Sequence, residues 1–91
     1  MGATNFVEVM QGYDSPKDAY DEAVNCAIYS YGHDPYSGTI ATTSGFEYLG
    51  IIPKENVVEF IENHIDNYDK WGDCGCIKSE DNYIFFGWAA T

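Results

Sequence analysis

The chain has 91 residues, four lysines, no arginine and fifteen carboxylates, for a formal net charge of −11. Such a charge repels DNA, RNA and anionic lipid, and no guanidinium is present to clamp a phosphate. No direct nucleic-acid or membrane contact is therefore expected. Five phenylalanines, two tryptophans and eight tyrosines supply large rings for a core, which a disordered acidic tail would lack. The length fits one domain over residues 1–91.

Residues 5–11 read as a strand, with Phe6, Val7, Val9 and Met10 apolar and Gly12 as the breaker. Ser15-Pro16-Lys17-Asp18 starts a helix: Ser15 can cap it, and Pro16 suits its first position. The helix extends to about Tyr31, with Tyr20, Ala23, Val24, Ala27, Ile28 and Tyr31 on one face and Gly32 as the stop. A loop over 33–38 follows, rich in turn formers. Residues 39–43 and 46–51 read as a hairpin around Ser44-Gly45. A second helix is predicted over 53–70, with Val57, Val58, Ile61, Ile65, Tyr68 and Trp71 inward. Residues 75–78 and 83–88 read as a terminal hairpin. The predicted order is β-α-β-β-α-β-β, an α+β fold with two helices packed on one face of a mainly antiparallel sheet.

Within the second helix, Glu55, Glu59, Glu62, Asp66 and Asp69 are spaced four, three, four and three residues apart. At about 100° per residue they fall in an arc roughly 80° wide. An ordinary solvated face mixes signs, because Glu–Lys pairs support a helix and like charges oppose it. Lys54 and Lys70 lie at the ends and leave the middle uncompensated. The stripe is the primary candidate site, for a basic protein surface; the alternative is a plain solvated face. Asp14, Asp18, Asp21 and Glu22, at the first helix, could extend it.

A second candidate is the loop with His33, Asp34, Tyr36, Ser37 and Thr39. Its hydroxyls, imidazole and backbone amides could take a nucleotide-like small molecule. The alternative there is a self-contained turn.

The three cysteines, Cys26, Cys74 and Cys76, are odd in number and form no secreted disulfide framework. Cys74-Gly75-Cys76 is too closely spaced for a zinc knuckle, and His64 or Cys26 would have to complete any metal site. No metal, cofactor or required disulfide is expected. Neither histidine stands in a catalytic motif, so no catalytic residue is assigned and enzymatic activity is not expected. The start of the chain carries no basic, apolar leader, and no apolar run is long enough to span a membrane. A reducing cytoplasm is the expected compartment.

With its size, missing arginines and acidic second helix, the chain resembles the small acidic inhibitors of phages and mobile elements, of the anti-CRISPR and anti-restriction type. That resemblance implies occupation of a nucleic-acid-binding groove on a defence protein; it carries over no individual residue. A homo-oligomeric accessory protein is the remaining expectation.

Overall fold

The computed structural model describes residues 2–32, 38–69 and 71–90. Its elements are β1 (Ala3–Gln11), α1 (Pro16–Tyr31), β2 (Gly45–Ile51), α2 (Val57–His64), β3 (Asp73–Ser79) and β4 (Asn82–Ala90). The strands form one sheet in the order β1-β4-β3-β2. β4 pairs antiparallel with both β1 and β3, and β2 pairs parallel with β3. The class is α+β, as the sequence indicates.

α1 begins as its residues dictate. Ser15 Oγ accepts from the Asp18 N–H at 3.2 Å, and Pro16 opens the helix. Gly32, at φ 81°, turns its N–H back onto the Ile28 carbonyl at 2.7 Å. The inner stripe of the helix is Ala19, Ala23 and Ala27, all buried. These small side chains let the helix approach the sheet, while Tyr20 and Val24 pack at the flanks.

The expected hairpin over 39–51 is not formed. Residues Ile40–Thr42 make a 3-10 turn instead. Thr39 caps it by accepting from the Ala41 N–H, while the Thr42 and Thr43 hydroxyls donate to the carbonyls of Thr39 and Ile40. Threonine hydroxyls compete in this way with strand pairing. Ile40 is fully buried, and Thr42 Oγ1 accepts from the Ala90 N–H at 3.3 Å. With 39–43 committed to this plug, β2 pairs with β3, reached through a crossover containing α2. The observed order therefore has one strand fewer than expected.

The helices do not share a face. Along β4, Tyr83, Phe85 and Ala89 join the cluster under α1, with Phe6, Cys74 and Cys76. Ile84 and Phe86 join the other cluster, with Ile77, Val57, Phe60, Ile61 and Ile65. Alternation along a strand sends neighbours to opposite faces, so α1 covers one side of the sheet and α2 the other. Adjacent phenylalanines thus anchor two aromatic groups. Phe85 meets Tyr20 and Phe46 at ring-centroid distances of 5.7 Å each. Phe86 meets Phe60 at 6.4 Å and Tyr68 at 5.7 Å, both edge-on.

The second helix is shorter than 53–70. It consists of a 3-10 turn at Lys54–Asn56, α2, and a second 3-10 turn at Ile65–Asn67. Val57, Ile61 and Ile65 are half-buried rather than deeply buried, and the same holds for Val24 and Ile28 on α1. A two-faced sheet spreads a small supply of apolar residues over two shallow interfaces. No described helix is long and apolar enough to cross a membrane.

Candidate functional site

The acidic residues sit on three different backbone geometries. Glu55 belongs to the first 3-10 turn, Glu59 and Glu62 to α2, and Asp66 to the second 3-10 turn. Asp69 lies beyond the helical run, where its Oδ1 accepts the Trp71 N–H at 3.2 Å. A 3-10 turn advances about 120° per residue rather than about 100°, so the five do not lie on one ideal α-helical arc. All five are nevertheless exposed. Among the described residues the ion pair is Lys17–Asp21 on α1, at 2.9 Å, and none reaches the stripe. Lys70 lies outside the described residues.

Val58 was expected on the inner face beside Val57. It is instead 68% exposed, and it sits among Glu55, Glu59 and Glu62 by helical spacing. Tandem valines on a helix about 100° apart per residue cannot both point inward over a narrow seam, and that was the available signal. The outward side of α2 is therefore an acidic surface with an apolar spot within it. The acids of α1 do not extend this surface, because α1 lies across the sheet.

Of the loop candidates, His33, Asp34, Tyr36 and Ser37 lie outside the described residues. Thr39 is described, and its side chain caps the 3-10 turn at Ile40–Thr42.

The thiols divide by burial. Cys74 and Cys76 are buried under α1, whereas Cys26 is exposed. Burial pushes both buried thiols up to about 12, so they stay protonated at neutral pH. Cys26 is also raised, first by desolvation and then by the Glu22 carboxylate, whose oxygen lies 3.6 Å from its sulfur. His64 is across the sheet from Cys74 and Cys76. Its ring stacks on Phe60 at 4.0 Å, and its Nδ1 lies 2.8 Å from the Phe60 carbonyl. The four groups are not brought together, and among the described residues no three His, Cys, Asp or Glu side chains are grouped to hold a metal ion. In the native protein, a thiol reagent at pH 8 should modify Cys26 alone, with Cys74 and Cys76 reacting only on unfolding. Mass spectrometry of labelled peptides checks this. Rapid native labelling of Cys76 would contradict its burial.

On the α2 face, Tyr68 donates its hydroxyl to Glu47 Oε1 at 2.9 Å, tying the end of the helical run to β2. Desolvation first, and then the Glu47 carboxylate, holds the Tyr68 phenol well above its ordinary range. This contact fixes the C-terminal end of the acidic segment against the sheet.

Comparison with protein-family models, with curated proteins and with solved structures finds no match to this chain.

Proposed function

We propose that the chain is a small acidic binding protein that occupies a basic, nucleic-acid-binding surface of a nucleic-acid-processing defence protein and so inhibits it, in a reducing cytoplasm. The outward side of α2 and its two flanking 3-10 turns makes the contact. The observation that carries this reading is the exposed row Glu55, Glu59, Glu62 and Asp66, joined by no ion pair among the described residues, with Val58 exposed in its midst. A purely solvated face gains nothing from an apolar side chain there. A protein-binding face gains a desolvated contact point inside a charged rim. Complementary charge would steer the encounter and make it sensitive to salt.

The test changes Glu59 and Glu62 to Gln and Asp66 to Asn, which keeps shape and removes three negative charges. Relief of like-charge crowding keeps stability level or raises it slightly. The parent and the variant are immobilised and used to capture proteins from a host lysate at low and high salt. The captured protein is then assayed for nucleic-acid binding with and without the chain. The variant should bind at least about tenfold more weakly, equivalent to about 1.4 kcal/mol, and with a shallower salt dependence. A folded variant that binds and inhibits as well as the parent reduces the stripe to a solvated face and defeats the reading.

A further inference from the structure

The two edges of the sheet are built differently. β2 is irregular: its register against β3 shifts between Tyr48 and Ile51, and Gly50 sits at φ 114°. Bulges and irregular backbone of this kind blunt an edge against further pairing. β1 has no such break. It pairs with β4 in continuous register from Ala3 to Gln11, and among the described residues nothing pairs with its outer side. It carries no proline or lysine, the residues that commonly protect an edge.

Its side chains point the same way. Val7 and Val9 lie on the α2 side of the sheet, opposite Phe86 and Ile84 of β4. The short α2 does not cover them, and they are 51% and 57% exposed. In a chain of net charge −11, these nine residues contain one charge, Glu8.

We infer that β1 is the seam of a symmetric homodimer, in which two copies pair antiparallel along Ala3–Gln11 with the two-fold axis at Val7. The register follows from full overlap of the strand: residue 3 meets 11, 4 meets 10, 5 meets 9, 6 meets 8 and 7 meets itself. Val7 then packs on Val7 of the second copy, and the Val9 side chains flank that pair on the same face. Glu8 stands opposite Phe6, so the two Glu8 carboxylates are diagonal neighbours about 7–8 Å apart rather than directly opposed. Sliding the register by two residues, so that 8 meets 8, would oppose them and shorten the ladder. Full overlap is favoured over any slide by pairing length, and over the 8-to-8 register by charge as well, and closure about a two-fold axis uses up both copies of the edge.

The seam is about 30 Å long and about 10 Å deep. That lies at the small end of specific interfaces, so the dimer is concentration-dependent. Net charge opposes it, and added salt strengthens it. This is the reverse of the salt response of a basic partner on α2, which separates the two surfaces experimentally.

Sedimentation velocity over a concentration series, at low and high salt, tests the proposal. The full chain should shift from monomer to dimer with concentration, and at lower concentration in high salt. Val7→Lys should weaken association at least tenfold while leaving unchanged the thermal melt read at low concentration, where both proteins are monomers. Register is tested separately in a Cys26→Ser background. Val7→Cys brings two thiols together across the axis and should form a disulfide-linked dimer on mild oxidation. Val9→Cys places them about 14 Å apart and should not. A chain that stays monomeric at every concentration and salt, or Val9→Cys cross-linking as fast as Val7→Cys, overturns the inference. So does a monomer that binds an extended basic peptide along β1 in place of a second copy.

Discussion

Phe85→Ala should destabilise the fold by about 3–5 kcal/mol, the range for emptying a large buried aromatic site. Phe85 is fully buried. Its ring touches Tyr20 at an interplanar angle of 60° and Phe46 at 82°, and those two rings stand 5.1 Å apart. Removing it takes the centre out of a three-ring group that joins α1, β2 and β4. Each lost aromatic pair adds about 0.5–1.5 kcal/mol to the loss of buried area. Tyr20 is also held at its far end, where its hydroxyl lies 2.7 Å from Thr43 Oγ1, so it cannot collapse freely into the space. A domain of this length has a total stability on the order of 5–15 kcal/mol. The variant should therefore unfold at much lower denaturant with a similar slope. A loss below about 1 kcal/mol would show that the ring is not the core residue its burial indicates.

Gly75→Ala is the second large effect, on the opposite face. A Cβ at Gly75 would stand 2.5 Å from Cζ of Phe86 and 2.8 and 2.9 Å from its two Cε atoms. Real carbon contacts are not that short, so the ring or the backbone must move. Phe86 is fully buried, with Phe60 and Tyr68 edge-on against it. Tyr68 is in turn tethered to Glu47. Overpacking of this kind costs about 1–3 kcal/mol and occasionally more, and this site belongs at the upper end because its neighbours are restrained. At about 4–8 °C per kcal/mol for a domain of this size, the melting temperature should fall by more than about 10 °C. Phe86→Leu removes the ring atoms that clash, so the double variant should lose less than the sum of the two single changes, by about 1 kcal/mol or more. Strict additivity would mean that the ring tip is not what the methyl meets.

The same clash accounts for a feature that the sequence shows but does not interpret. Cys74-Gly75-Cys76 reads as a spacing of thiols. The structure makes Gly75 the informative residue, since its missing side chain leaves the floor on which the Phe86 ring lies. The thiols fill space under α1.

Much of α1 was legible because its determinants lie within a turn of one another: the Ser15 cap, Pro16 at the first position, and Gly32 at a positive φ. The exposure of the acids was equally legible, because a row of carboxylates cannot be buried without partners. The terminal strand held a further clue. Tyr83-Ile84-Phe85-Phe86 does not alternate apolar with polar, and a strand apolar on both sides is one covered on both sides. Read that way, it indicates helices on opposite faces.

The sequence by itself determined the two main helices, the β3–β4 hairpin, the acidic outer side of α2 and the absence of any arginine clamp. Each rests on composition or on signals within a few residues. Tertiary structure alone decided where β2 pairs, because the choice lay between a local turn at Ser44-Gly45 and a parallel partner 28 residues further on at Gly45↔Asp73. The hydroxyl bonds over Thr39–Thr43 and the burial of Ile40 tipped it toward the distant strand. Tertiary structure also decided that α2 is too short to cover β1, which leaves Val7 and Val9 exposed and, among the described residues, the outer edge of β1 unpaired. No local signal reports that, since it depends on how far a helix reaches across a sheet whose strand order is set by pairing between distant segments.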